Sequence, residues 1–140
     1  MKNWIVLALI SMFFAGLTSV IAKMGLKNVS SDTGLAVRTV SVVLVVAANA
    51  FLFHSAKDFK NLSWNDILIL SISGITAGLS WIFYFRAVKI GEVGQVALID
   101  KGSIVVTVLL SLFILHEEFT WKTALGGVLI IAGLLVLTLK

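Results

Sequence analysis

The sequence predicts an all-α membrane protein of five transmembrane helices, and three observations lead there. Hydrophobic residues make up 59% of the 140 positions and charged residues 13%, against about 45–50% and about 25% in ordinary globular chains. Mean hydropathy is +1.08, and a chain of 15.1 kDa has too little interior to hide that much apolar surface from water. Apolar runs of membrane-spanning length recur five times, with short polar stretches between them. The same figures exclude intrinsic disorder and a coiled coil. The absence of Cys excludes a disulfide-stapled secreted domain and a Cys-based zinc or redox site.

The helices are expected at about residues 4–22, 33–53, 67–85, 93–115 and 120–139, within one transmembrane domain spanning 1–140. The first run follows Lys2 and ends near Val20-Ile21-Ala22, a weak cleavage-like triplet. It is long for the apolar part of a signal peptide and further spans follow, so it reads as an anchor that stays in the membrane. Ser30-Ser31-Asp32 offers capping oxygens before the second helix. Ser63-Trp64-Asn65-Asp66 has the form of a capping box opening the third. Thr120 can cap the fifth, and Gly25 and Gly91 stand where helices should end. His54 to Leu62 is the polar loop densest in charge. Short connections force successive helices to run antiparallel.

The formal charge is +4 and the isoelectric point near 9.6. The basic residues are spread singly, so they read as loop cations facing water and lipid headgroups, and nucleic acid is not an expected partner. Five spans place Lys2, Lys57, Lys60 and Lys122 on one side and Lys27, Arg86, Lys89 and Lys140 on the other, with Lys23 close by. The positive-inside rule needs an imbalance, and the counts are nearly equal. Two readings stay open: one orientation set by a weak bias, or dual topology with antiparallel pairing. Trp4, Trp64 and Trp121 all open odd-numbered helices, which matches an aromatic belt at one interface.

Lys23, Arg38, Arg86, Asp100, Lys101 and Glu117 fall at or near hydrocarbon depth, where ionisable groups usually face a cavity or a partner. Lys23, Arg86 and Glu117 are close enough to helix ends to snorkel. Arg38 lies one or two turns into the second helix, with Asn49 on the same face. Asp100, Ser103, Thr107 and Ser111 form one polar stripe on the fourth helix. Its hydroxyls either bond back to their own helix carbonyls or line a path. Asp100 either pairs with Arg38, Lys23 or Lys101 or lines a water-filled route. A weaker stripe runs Ser73, Ala77, Ser80, Tyr84. Gly74 and Gly78 form a GxxxG, and Gly126 and Gly133 share a face of the last helix; both are helix-packing signals.

His54 and His116 lack ligand spacing, so no metal site is expected. No phosphate-binding loop, dinucleotide fingerprint or nucleophile elbow is present. Neither a cofactor nor a catalytic set is expected, and ATP-driven transport has no engine here.

Several ordered motifs carry a resemblance to a known family. Gly78-Leu79-Ser80-Trp81-Ile82-Phe83-Tyr84-Phe85-Arg86-Ala87-Val88-Lys89-Ile90-Gly91 is similar to the end of the third helix in EamA-domain proteins of the drug/metabolite transporter superfamily. Ile99-Asp100-Lys101, Leu115-His116-Glu117-Glu118 and Gly126-Gly127-Val128-Leu129-Ile130-Ile131-Ala132-Gly133 continue it in order. Phe14-Ala15-Gly16, Lys23 and Arg38 match near the start. The chain most resembles the half-size, five-helix bacterial and archaeal branch. That implies a half-transporter bundle in the cytoplasmic membrane and a secondary transporter of a small metabolite or drug-like solute. Larger family members fuse two inverted five-helix halves. A single half needs a second copy, hence a homodimer, antiparallel or of dual topology. Arg38, Asp100, Lys101, Ser103 and Thr107 are the expected lining of the substrate path. The alternative is a non-transporting membrane subunit packed against another protein. Two departures stand out. Leu98 occupies a position where relatives of this type carry a Pro, leaving Gly102 as the source of any helix break. The first helix has no Asp or Glu, so the proton coupling of the four-helix small multidrug relatives cannot be carried over.

Overall fold

A computed structural model describes residues 3–53 and 61–138. Most of the expected loop from His54 to Leu62 lies outside the described residues, as do Lys2, Lys57, Lys60 and Lys140. The described residues form helices α1 (Asn3–Gly25), α2 (Ser31–Phe53), α3 (Trp64–Ile90), α4 (Val93–Asp100), α5 (Ser103–Ile114) and α6 (Trp121–Thr138), with no strand among them. In lipid every backbone polar group must be paired internally, which is why apolar runs of this length become helices. Asn3–Gly25, Ser31–Leu52, Trp64–Ile90 and Val93–Ile114 are each long and apolar enough to cross a membrane. Trp121–Leu137 is a shorter apolar helix, near the lower limit of about 17 residues for a span.

The start signals work as local chemistry dictates. Ser30 accepts from the Thr33 amide at 3.1 Å and caps α2. Ser63 and Asp66 close a reciprocal box: the Asp66 amide donates to Ser63 Oγ at 3.2 Å, and the Ser63 amide donates to Asp66 Oδ2 at 3.0 Å. Thr120 accepts from the Thr123 amide at 3.2 Å ahead of α6. Gly25 and Gly91 mark the ends of α1 and α3, yet no described glycine has positive φ. His116 takes the left-handed position instead, with φ 53, and lets the Glu117 amide return to the Ser111 carbonyl at 3.3 Å.

Two expectations change. The third helix continues to Ile90 rather than ending near residue 85. The fourth is two helices, α4 and α5, joined at Lys101 and Gly102. The Gly102 amide bonds to the Ile99 carbonyl at 2.9 Å and the Ile104 amide to the Lys101 carbonyl at 3.1 Å, so the ladder tightens to three-residue spacing. Both linking residues keep right-handed helical φ and ψ. The break is a tightened turn, not an unwound segment, and it forms without Pro.

The described chain divides into two compact units, Val20–Ile90 and Met1–Ser19 with Gly91–Lys140. In the first, α2 lies along α3 in the most extensive helix contact. Its buried apolar core is Leu26, Phe85 and Val88, at the end where α1 and α3 finish and α2 begins. In the second, α4 and α5 both pack on α6. Gly102 lets the turn pack closely there: a Cβ would stand 2.9 Å from Leu134 Cδ1 and 3.0 Å from the Ile99 carbonyl, so Leu134 would have to shift. Most large apolar side chains are exposed, as expected of surfaces that meet lipid or another membrane helix.

Candidate functional site

Within Val20–Ile90 the cations gather at one end. Lys23, Lys27, Arg38, Arg86 and Lys89 stand there with a single described carboxylate of that end, Asp32. Helix geometry explains the clustering, because the last turns of α1 and α3 meet the first turns of α2.

Most of these charges are committed to structure. Arg86 Nε donates to Asp32 Oδ1 at 3.2 Å, and its Nη2 donates to Asp32 Oδ2 at 3.3 Å. The pair is well exposed, 55% and 64%, so it contributes about 0–1 kcal/mol. Lys23 Nζ donates to the Val88 carbonyl at 2.7 Å and the Lys89 carbonyl at 3.3 Å. Lys89 Nζ donates to the carbonyls of Leu26 and, at 3.3 Å, Lys27. Lys23 thus bonds to the end of α3, a role the snorkelling reading missed.

Arg38 is different. It is half-buried, about two turns into α2, on the face toward α3. Its guanidinium carbon lies 4.5 Å from the centre of the Trp81 ring and 5.5 Å from that of Phe85. Trp81 and Phe85 are one turn apart on α3, so they form a shelf. Nη1 is shielded from solvent and has no hydrogen-bond partner. Neither ion pair found among the described residues involves Arg38. Ring contact is worth about 0.5–2 kcal/mol and satisfies the faces of the cation. The N–H groups lie in its plane, and an unmet buried donor costs about 1–3 kcal/mol. Asn49, on the same side of α2, is exposed.

The other sequence candidates lie in the second unit. Asp100 Oδ2 is 3.8 Å from Lys101 Nζ, an open neighbour pair at the tightened turn, with side chains 38% and 54% exposed. The flexible lysine stem overcomes their divergence around the helix. Thr107 Oγ1 donates to the Ser103 carbonyl at 3.1 Å, and Ser111 Oγ to the Val108 carbonyl at 3.1 Å. The back-bonding reading describes these two hydroxyls. Asp100 and Lys101 are thus together, and Arg38 belongs to the other unit.

Gly74, Gly78, Gly126 and Gly133 have no atom within 4 Å of where a Cβ would stand. An open groove of about 460 Å³ on α2 is lined by Ala36, Thr39, Val40, Val43 and Leu44. It lies on the side of α2 away from Arg38 and is apolar, since the Thr39 hydroxyl is bonded to the Leu35 carbonyl at 2.8 Å. Among the described residues no group of three or more His, Cys, Asp or Glu could hold a metal ion.

The sequence signal that could have located the shelf was the aromatic pair at i and i+4, Trp81 and Phe85, opposite an arginine in an antiparallel neighbour.

Comparison with known proteins agrees with this architecture. The pattern of the EamA-like transporter family matches residues 2–139. A protein from Sinorhizobium sp, described as an uncharacterized transporter in the cobO 3'region, is 36% identical over 136 residues, covering 97% of this chain and 96% of the relative. No solved structure matches the chain significantly.

Proposed function

The chain belongs to the EamA-like transporter family, and on that premise we propose that it carries a small solute across the cytoplasmic membrane by alternating access, as an antiparallel homodimer. A multi-pass membrane transporter is the part that family and relative establish. One observation supports the finer reading best: the packing glycines of α3 and α6 face open space within the chain. Glycines at that spacing allow helices to approach closely, and here the approach is left to a second copy. An odd number of spans with nearly balanced flanking cations suits two copies inserted in opposite senses.

The residues proposed to meet the solute are Arg38 in the unit Val20–Ile90 and Asp100, Lys101, Ser103 and Thr107 in the other unit. The tightened turn at Lys101–Gly102 supplies the place where α4 and α5 change their mutual angle.

The test is reconstitution of the purified protein in liposomes, with a mixed panel of labelled solutes inside and mass-spectrometric reading of exchange. Solute-specific, saturable exchange is expected. Flux that rises linearly with concentration would indicate a passive channel. A stable crosslink to a protein of another sequence in native membranes, with no exchange in liposomes, would favour a non-transporting subunit. Single cysteines placed at either terminus decide topology: labelling from both sides is expected, and a uniform population overturns the antiparallel arrangement.

A further inference from the structure

We propose that Arg38, backed by Trp81 and Phe85, is the docking point for the carboxylate of a small, singly charged organic anion. That this anion is the transported solute rests on the transporter reading above.

Three features of the site select the ligand. The first is an unmet donor. Nη1 is shielded from water and has no acceptor, so the protein leaves a hydrogen bond open that an incoming oxygen would complete. The second is the local field. At the same end of the unit are Lys23, Lys27, Arg86 and Lys89, with Asp32 the one described carboxylate there, and an excess of one sign concentrates the opposite ion. The third is the way those neighbours are engaged. Arg86 is occupied by Asp32, and the Lys23 and Lys89 ammonium groups bond to backbone carbonyls. Among the described buried side-chain donors, Nη1 of Arg38 is therefore the one left open to a ligand, while Lys27 is exposed. A planar carboxylate matches one fork with two parallel bonds. A phosphate dianion calls for more donors than this site supplies.

The aromatic shelf adds a size and shape preference. Trp81 is half-buried beside the guanidinium, so the body of the anion meets an indole. Compounds with a flat or short apolar body attached to the carboxylate fit best.

An anionic lipid headgroup shares the oxygen chemistry, and the experiment separates it from a free anion. The full chain is placed in nanodiscs of phosphatidylcholine, which has no net headgroup charge. Benzoate and hexanoate are titrated against their neutral counterparts benzamide and hexanamide, with tryptophan emission and thermal midpoint as readouts. The carboxylates are expected to quench emission saturably and raise the midpoint, while the amides do neither. Arg38→Gln should weaken carboxylate binding at least tenfold. Arg38→Lys retains charge without the fork and should weaken it severalfold. Trp81→Leu removes the shelf but not the charge, and should reduce the benzoate response more than the hexanoate response.

Equal binding of acids and amides, or native binding by folded Arg38→Lys and Arg38→Gln protein, would overturn the proposal. So would a response to discs containing phosphatidylglycerol with none to either free carboxylate. Liposome exchange then separates the two readings. Exchange of a neutral or cationic solute that Arg38→Gln leaves unchanged keeps the transporter and removes the anion. Arg38-dependent carboxylate binding without exchange of any solute keeps the site and removes transport.

Discussion

Lys23 and Lys89 tie the ends of α1 and α3 to each other. The Lys23 ammonium bonds to the Val88 and Lys89 carbonyls, and the Lys89 ammonium bonds to the Leu26 and Lys27 carbonyls. The last carbonyls of a helix have no partner within it, and cations near that end also favour the helix dipole. Lys23 serves the last turn of α3, and Lys89 serves the segment that directly follows α1. The exchange holds the ends of α1 and α3 together around Leu26 and Val88, two of the few buried apolar residues.

This exchange of bonds predicts a strongly coupled pair. Lys89→Met should lower stability by about 1–3 kcal/mol, because hydrogen bonds from charged donors are stronger than neutral ones. Lys23→Met should cost a similar amount. The double variant should lose less than the sum, since either change alone already loosens the same junction. Thermal unfolding of the four proteins in one detergent measures this. Strict additivity would mean that the two lysines act independently.

The Asp32–Arg86 pair predicts a contrast. Although its geometry is two-pronged, it is well exposed. Asp32→Asn should therefore change stability by less than about 1 kcal/mol, with an effect that fades as salt is raised. Midpoints at low and high salt check it, and a large salt-independent loss would contradict the prediction.

These two pairs also show what the sequence could and could not reveal. Caps at Ser30, Ser63 and Thr120 were legible because a side chain and an amide three residues away decide them. The spans were legible because lipid demands long apolar helices. The continuation of α3 to Ile90 was not, because Lys23 satisfies its final carbonyls from another helix. Arg38 stood out as a charge within an apolar run, but its aromatic shelf depends on the register between α2 and α3. The break after Asp100 was foreseeable at Gly102, whereas its tight three-residue form depends on a backbone that Leu134 packs against.

That last contact gives a compensation test. Gly102→Ala places a methyl group 2.9 Å from Leu134 Cδ1, and overpacking of this kind costs about 1–3 kcal/mol. Leu134→Ala in the same chain should recover part of the loss by making room. Failure of the double variant to recover stability would locate the strain in the Ile99 carbonyl contact instead.

Asp100→Asn separates folding from transport. Among the described residues its ion pair is the open 3.8 Å contact with adjacent Lys101, so the variant should lose less than about 1 kcal/mol of stability. Exchange in liposomes should nevertheless fall sharply if Asp100 binds a cationic group or holds a coupling proton. Unchanged exchange would remove Asp100 from the residues proposed to meet the solute.

Gly78→Leu addresses the second copy. No atom lies within 4 Å of a Cβ at Gly74 or Gly78, so a larger residue meets no resistance from its own chain. The variant should be monodisperse, with helix content like that of the native chain. If α3 packs against another copy through this face, the added side chain holds the two backbones apart. The dimer fraction should then fall at least severalfold at a fixed protein-to-lipid ratio. Gly126→Leu on α6 provides the independent comparison, because it tests a different open face. Single-molecule photobleaching in liposomes counts copies directly. If both variants leave the native step distribution unchanged, neither glycine face forms the dimer, and the interface lies elsewhere on the exposed apolar surface.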